Sequence, residues 1–146
     1  MKTALLDVNL FIALLWPAHV HHEAAHRWFG ARRSKRWATC PLTQLAFVRI
    51  VSNPSFSPDA ITPEEAVVLL EKNLQDKRHE FRPDDLGVVE AMAGFTARIY
   101  GHRQVTDAYL LGLASTHGDI LASFDSGLQT FASAQRSSAL EIVPVK

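Results

Sequence analysis

The sequence predicts a three-layer α/β/α domain built on a mainly parallel sheet, and three observations carry that reading. Two short apolar runs, one through Leu5-Leu6 and one through Ile120-Leu121-Ala122, each lead into an acid, Asp7 and Asp125. Runs of this length bounded by polar turns suit strands buried on both faces. Strand-like segments then alternate with helical ones along the chain, which is the order of βαβ units. Finally, an aspartate just past a strand's carboxyl end stands where open α/β sheets place their ligands.

Taken in order, Lys2 to Leu6 reads as the first strand and Val8 to Leu15 as a helix, stopped by Pro17. A second helix runs from His22 to Phe29, with Ala25, Trp28 and Phe29 on its apolar side and Gly30 as its stop. The basic segment Arg32 to Arg36 is a solvated turn or a phosphate contact. Arg36 to Cys40 reads as a strand, followed by a helix from Leu42 to Ser52 with Pro41 near its start and Leu45, Val48 and Ile50 inward. Thr62, Pro63 and Glu65 spell a capping box, so a helix should run from there to about Asp76, presenting Ala66, Leu69, Leu70 and Leu74. His79 to Arg82 reads as a brief strand. Asp84 is expected to cap a helix from Asp85 to about Tyr100, stopped by Gly101. Thr106 is expected to cap the next, through Ser115, closed by Gly118. A strand over Ile120 to Phe124, a short helix over Ser126 to Ala134 and a last strand over Glu141 to Val145 complete the chain.

Composition bounds the function. With 146 residues, 47% hydrophobic and 21% charged, the chain predicts one soluble globular domain over residues 1–146. Fifteen basic and fifteen acidic side chains cancel, which argues against a protein that coats nucleic acid non-specifically. Zero net charge also removes one protection against association, so an oligomer is expected. The opening apolar run is broken by Asp7 and Asn9, and no stretch approaches the roughly 18 apolar residues of a spanning helix. The single Cys40 suits a reducing cytoplasm and reads as a small buried hydrophobe.

Two constellations could carry chemistry. The first is Asp7, Asp107 and Asp125. Gathered carboxylates raise one another's pKa unless a cation neutralises them, and hard oxygen donors favour Mg²⁺ or Mn²⁺. Such an ion orients water and steadies charge on a phosphoryl group, which is the equipment for cutting a phosphodiester. Asp107 also suits a helix N-terminus by itself, and Asp125 a cap. Asn9, Thr106 and Ser123 lie beside these acids, where they could hold water or substrate or simply cap and pack. Arg49, Arg27 and Arg103 are candidates for a phosphate contact or an ordinary ion pair. The second constellation, His22-Glu23-Ala24-Ala25-His26, matches the helical zinc motif H-E-x-x-H, but a zinc peptidase needs a third ligand and no follow-on motif supplies one. There is no Gly-rich phosphate loop and no G-x-S-x-G elbow.

At this point the chain resembles the PIN-domain ribonucleases, specifically the VapC-like toxins of bacterial toxin–antitoxin pairs. The matching pieces are Leu6-Asp7-Val8-Asn9, Cys40 to Arg49, Val105-Thr106-Asp107-Ala108-Tyr109-Leu110 and Leu121 to Leu128, in the family's order. The resemblance implies an α/β/α fold around a five-stranded parallel sheet and a Mg²⁺- or Mn²⁺-dependent endoribonuclease. Asp7, Asp107 and Asp125 would be its metal-site acids, with Asn9 and Thr106 in support. It implies cleavage of RNA, of the transfer or ribosomal class, by a metal-activated water, leaving a 3′ hydroxyl and a 5′ phosphate. A homodimer and a small VapB-like antitoxin covering the acidic cleft are implied as partners. One position departs: many members carry a glutamate on the helix after the second strand, where this chain has Gln44. Glutamine keeps an acceptor oxygen and loses a charge. The consequences left open are a weaker metal site, compensation by Asp84 or Asp85, or a catalytically inactive RNA-binding module.

Overall fold

Side chains on a strand alternate between faces, and here that alternation sorts the core into two halves. A computed structural model describes residues 2–130, 132 and 137–146. In β1 (Ala4–Leu6), Ala4 and Leu6 enter one apolar cluster while Leu5 enters the other. The same holds for Trp37 against Ala38 in β2 (Trp37–Thr39), and for Ile120 and Ala122 against Leu121 in β4 (Ile120–Ser123). β1, β2 and β4 are buried throughout, as expected of strands covered on both faces.

The first cluster lies under α1 (Val8–Leu15), α2 (His22–Ala31), α3 (Pro41–Val51) and α4 (Pro63–Leu74). Phe11 centres it, its ring 5.0 Å from Phe47 and 5.9 Å from Trp37. The second lies under α5 (Val88–Ala91) and α6 (Val105–His117). With β3 (His79–Phe81) and β5 (Leu140–Ile142), the strands form one sheet in the order β3-β2-β1-β4-β5, every pair parallel. The expected three-layer architecture is present. The chain moves outward from β1 through β2 to β3, then returns to add β4 and β5 on the other side. The strand order therefore reverses between β1 and β4, which opens a crevice at their carboxyl ends.

Two of the expected helix-end signals form as the sequence implies. Thr62 accepts from the Glu65 amide while Glu65 accepts from the Thr62 amide, closing the capping box of α4. Gly118 ends α6 at φ +71°, the left-handed conformation glycine adopts cheaply. α1 occupies its expected span, and α2 runs past Gly30 to Ala31.

Several expectations need correcting. The single helix from Asp85 to Tyr100 is absent. Asp84 caps nothing; Gly87 stands before the one-turn α5, and Gly94 at φ +92° turns the chain so that Met92 and Phe95 drop into the core. Two single 3-10 turns, Thr96–Arg98 and His102–Gln104, carry it to α6. α6 begins at Val105 after Gln104, so Thr106 lies exposed in the first turn and caps nothing. On α3 the buried positions are Thr43, Phe47 and Val51, one face at four-residue spacing, while Leu45 is exposed. The helix expected over Ser126–Ala134 is a 3-10 stretch over Ser126–Thr130, and of the remainder residues 131, 133 and 134 lie outside the described residues. The last strand begins at Leu140 and ends at Ile142.

Two sequence-distant contacts tie neighbouring elements together, one across the sheet and one between helices. Arg82, just past β3, grips Asp119 with two nitrogens at 2.7 and 2.9 Å, and Asp119 is buried. Gly112 of α6 lies so close to α5 that a Cβ there would meet the Ala91 carbonyl oxygen at 2.1 Å. Among the described residues, no helix is long and apolar enough to cross a membrane.

Candidate active site at the strand-order reversal

Asp7 follows β1 directly and is the N-cap of α1: its Oδ1 accepts from the Leu10 amide at 2.9 Å. Its other oxygen accepts from the buried Ser123 hydroxyl at the end of the neighbouring β4. The Ser123 oxygen also accepts from the Asp125 amide at 3.0 Å, so one hydroxyl ties together the segments that carry two of the acids. Asp125 accepts from the Gly127 amide and keeps its carboxylate exposed. Because α6 runs back toward the start of β4, its first turn lies at the carboxyl edge of the sheet. That turn carries Asp107, half-buried.

The electrostatics link the three. Burial pushes Asp7 up to about 6, against the pull of its bonds from Ser123 and Leu10, and Asp125 adds repulsion. Asp107 is pushed up to about 7 by burial, then by the charges of Asp7 and Asp125. Two carboxyl groups thus sit where their ionised forms are unfavourable without a counter-charge. A divalent cation is the natural counter-charge, since every donor is a hard oxygen. Among the described residues, no three His, Cys, Asp or Glu side chains are gathered tightly enough to hold a metal by themselves. The donor set fits an ion that binds through one or two carboxylates and keeps its waters, as Mg²⁺ does.

A cavity of about 340 Å³ opens beside Asp7 and Asp125, walled by Asn9, His19, His21 and Phe124. Asn9 therefore joins the acids as expected. Other candidates do not line this cavity. Ser123, a substrate-binding candidate, is fully buried and bonds Asp7 and the Asp125 amide instead. Gln44 donates its amide to the Thr39 hydroxyl at 3.0 Å, which in turn bonds His79 at 2.7 Å. Thr106 lines a separate apolar hollow with Asp84, Leu86 and Tyr109. Arg27, Arg49 and Arg103 are exposed, and none forms an ion pair among the described residues.

Neither proposed substitute acid joins the aspartates. Asp84 faces the Cys40 thiol and Tyr109, and Asp85 pairs with His117 at the far end of α6, 3.2 Å away. Cys40 is buried, and burial raises its thiol pKa, as suits an inert hydrophobe. The zinc constellation is used otherwise: His22 Nδ1 and His26 Nε2 each donate to a carbonyl at the end of α1, Ala13 and Leu14, both at 2.7 Å. No third ligand joins them among the described residues.

His19 and His21 are the residues that the motif-based reading missed. They belong to the loop between α1 and α2, and no spacing rule places a loop residue. The one available signal was the run His19-Val20-His21-His22 directly after a helix stop.

The sequence and the fold both have known relatives. The PIN domain family matches residues 4–134. Ribonuclease VapC39 of Mycobacterium tuberculosis (strain ATCC 25618 / H37Rv) is 46% identical over 132 residues, covering 90% of this chain and 95% of that protein. Ribonuclease VapC38 of the same strain is 40% identical over 142 residues, covering 97% and 99%. Among solved structures, a chain of DNA-bound VapBC from Salmonella typhimurium superimposes with a TM-score of 0.65 at 15% identity, covering 99% of this chain and all of that one. With the PIN-domain match spanning most of the sequence and relatives at 40% identity or more over nearly their whole length, the chain belongs to the PIN-domain family, among the VapC ribonucleases.

Proposed function

We propose that this protein is a Mg²⁺- or Mn²⁺-dependent endoribonuclease that hydrolyses RNA phosphodiester bonds as the toxin of a toxin–antitoxin pair. The carrying observation is the charge coupling of Asp7, Asp107 and Asp125 at the strand-order reversal, in a chain 46% identical to a protein named a ribonuclease. Asp7, Asp107 and Asp125 would be the metal-site acids, the cation binding through one or two of them and keeping its waters. When bound, the cation supplies Lewis acidity, lowering the pKa of water and offsetting charge on the phosphoryl group. The chain's residues do the positioning. Ser123 and the Leu10 amide fix both oxygens of Asp7. Asn9 offers the cavity a carboxamide that can donate to a phosphate oxygen and accept from water. Arg27, Arg49 and Arg103 are exposed cations available to the RNA backbone.

The partners in this reading are an RNA of the transfer or ribosomal class, a VapB-like antitoxin and a second copy of the chain, in the cytoplasm. Support for the antitoxin is that the solved relatives are VapBC assemblies by name. Exposed Leu45, Val88, Val89 and Tyr100 supply apolar surface for protein contacts.

The test is cleavage of cellular RNA in Mg²⁺ or Mn²⁺ by wild type, Asp7→Asn, Asp107→Asn and Glu23→Gln. Both aspartate variants should lose activity by orders of magnitude while Glu23→Gln, exposed on α2, keeps it. Equal cleavage by all four would mark a contaminant and remove the proposal. One observation favours a second reading, an RNA-binding module of weak activity: Gln44 is a neutral carboxamide whose NH₂ is bonded to the Thr39 hydroxyl, so the position neither carries a charge nor directs that donor at the acids. Retained RNA binding with no cleavage in Mn²⁺ would favour it.

A further inference from the structure

The wall of the cavity that the acids do not explain is aromatic. His21, on the loop between α1 and α2, stands 5.1 Å from the ring of Phe124, centroid to centroid, at a tilt of 47°. Phe124 lies between the end of β4 and Asp125, one side packed on the core and the other open to the cavity. His19 stands behind His21, 5.8 Å ring to ring, and its Nδ1 accepts from the His21 amide at 3.0 Å. That bond fixes the neutral tautomer of His19 with its proton on Nε2, and burial together with the neighbouring His21 and His22 lowers its pKa. The loop is clamped where it enters α2, because His22 and His26 are bonded to the end of α1. Two rings are therefore held, half-exposed, in the same cavity as Asp7, Asn9 and Asp125.

We propose that His21 and Phe124 form a nucleobase subsite: an unpaired base next to the scissile phosphate stacks on this aromatic corner. The inference rests on the ribonuclease reading and deepens it by naming what is bound beside the acids. Three considerations support it. Every base has a π-face, and aromatic stacking is how proteins hold splayed, single-stranded bases. The net charge of zero leaves little general attraction for a phosphate backbone, so selectivity must come from local contacts. Phe124 packs only one side on the core, and the His21–Phe124 pair turns half-exposed aromatic surface into the cavity that Asp7 and Asp125 line. The neighbouring His19 Nε2–H adds one directional donor for a base edge. In this arrangement the base anchors the RNA and so sets which phosphate reaches the acids.

The test first maps the cut made in total cellular RNA by wild type, then uses a short RNA spanning that cut. Each nucleotide flanking the scissile phosphate is replaced in turn by an abasic one, and wild type, His21→Ala, His21→Phe and Phe124→Leu are compared. For wild type, removing the stacked base should lower kcat/KM by roughly ten- to a hundred-fold. His21→Ala should lose about as much on the intact RNA and be nearly indifferent to the abasic change, while His21→Phe should retain the sensitivity. RNA retention on filters, with each substitution placed in an Asp107→Asn background, should follow the same order without any turnover. If wild type cleaves and both flanking abasic RNAs are cut as fast as the intact one, the subsite is refuted and the nuclease reading stands. The subsite is refuted equally if His21→Ala and wild type lose the same factor on the abasic RNA. If wild type cuts no RNA, the nuclease reading fails and the subsite fails with it.

Discussion

Ser123 donates a hydrogen bond to Asp7 across 116 positions of sequence. Because the same oxygen accepts from the Asp125 amide, Ser123 sets the distance between two acids without touching substrate. Ser123→Ala should leave the Asp7 oxygen without its donor, raise the Asp7 pKa further and weaken divalent-metal affinity by about 10- to 100-fold. Calorimetric titration with Mn²⁺ measures this directly, and Ser123→Thr, which keeps the hydroxyl, should retain most of the affinity. Unchanged affinity in Ser123→Ala would refute the positioning role.

The raised acids fix a pH dependence. Asp7 and Asp107 have folded-state values near 6 and 7, above the usual 3.8, so between pH 4 and 7 the folded chain binds more protons than the unfolded one. Stability of the metal-free protein should accordingly fall as pH rises through that window. Asp107→Asn should remove much of the slope and raise stability at pH 8 by on the order of 2 kcal/mol. Mg²⁺ or Mn²⁺ should raise the melting temperature more at pH 8 than at pH 5. Urea and thermal denaturation across pH, with and without metal, read all three.

Arg82 and Asp119 form a bidentate pair whose carboxylate is almost wholly buried. Arg82→Met should destabilise the fold by about 3–5 kcal/mol, because it abandons a buried charge. The double variant Arg82→Met/Asp119→Leu should recover a large part of that loss. A simple sum of the two single effects in urea denaturation would exclude the coupling.

Gly112 is a packing requirement. Alanine would ordinarily stabilise a helix interior by about 1 kcal/mol. Here its methyl would press on the Ala91 backbone, so Gly112→Ala should instead destabilise by about 2–3 kcal/mol. A urea midpoint at or above that of the wild type would refute the close approach of α5 and α6.

What the chain disclosed in advance depended on how local the cause was. The capping box at Thr62–Glu65 and the helix stop at Gly118 are set by neighbours in sequence, and both were legible. So were the acid-tipped strands, because an apolar run ending in aspartate states both burial and exit. Asp85 to Tyr100 was misread because α6 decides it: Gly94 turns the chain there so that Met92 and Phe95 can reach the second cluster. Leu45 faces out for a similar reason, since the face of α3 is chosen by Phe47 meeting Phe11. Within the candidate site, Asp7 and Asn9 were legible as neighbours of a strand end, whereas His19 and His21 sit on a loop whose course depends on how α2 docks on α1. That Gln44 turns to Thr39 was equally invisible, since its partner is on the preceding strand.

The docking of α2 on α1 also says something about sequence signatures at large. Two ring donors one turn apart meet the last free carbonyls of the preceding helix, Ala13 and Leu14. A helical hairpin closed in this manner spells H-x-x-x-H for reasons of backbone satisfaction alone, and a glutamate at the exposed second position of such a helix completes the letters of a metalloprotease. Genome scans for that pentapeptide will therefore gather latch histidines along with zinc ligands. The two are told apart by asking whether a helix ends upstream with carbonyls that the rings can close, nine and twelve residues before the two histidines here.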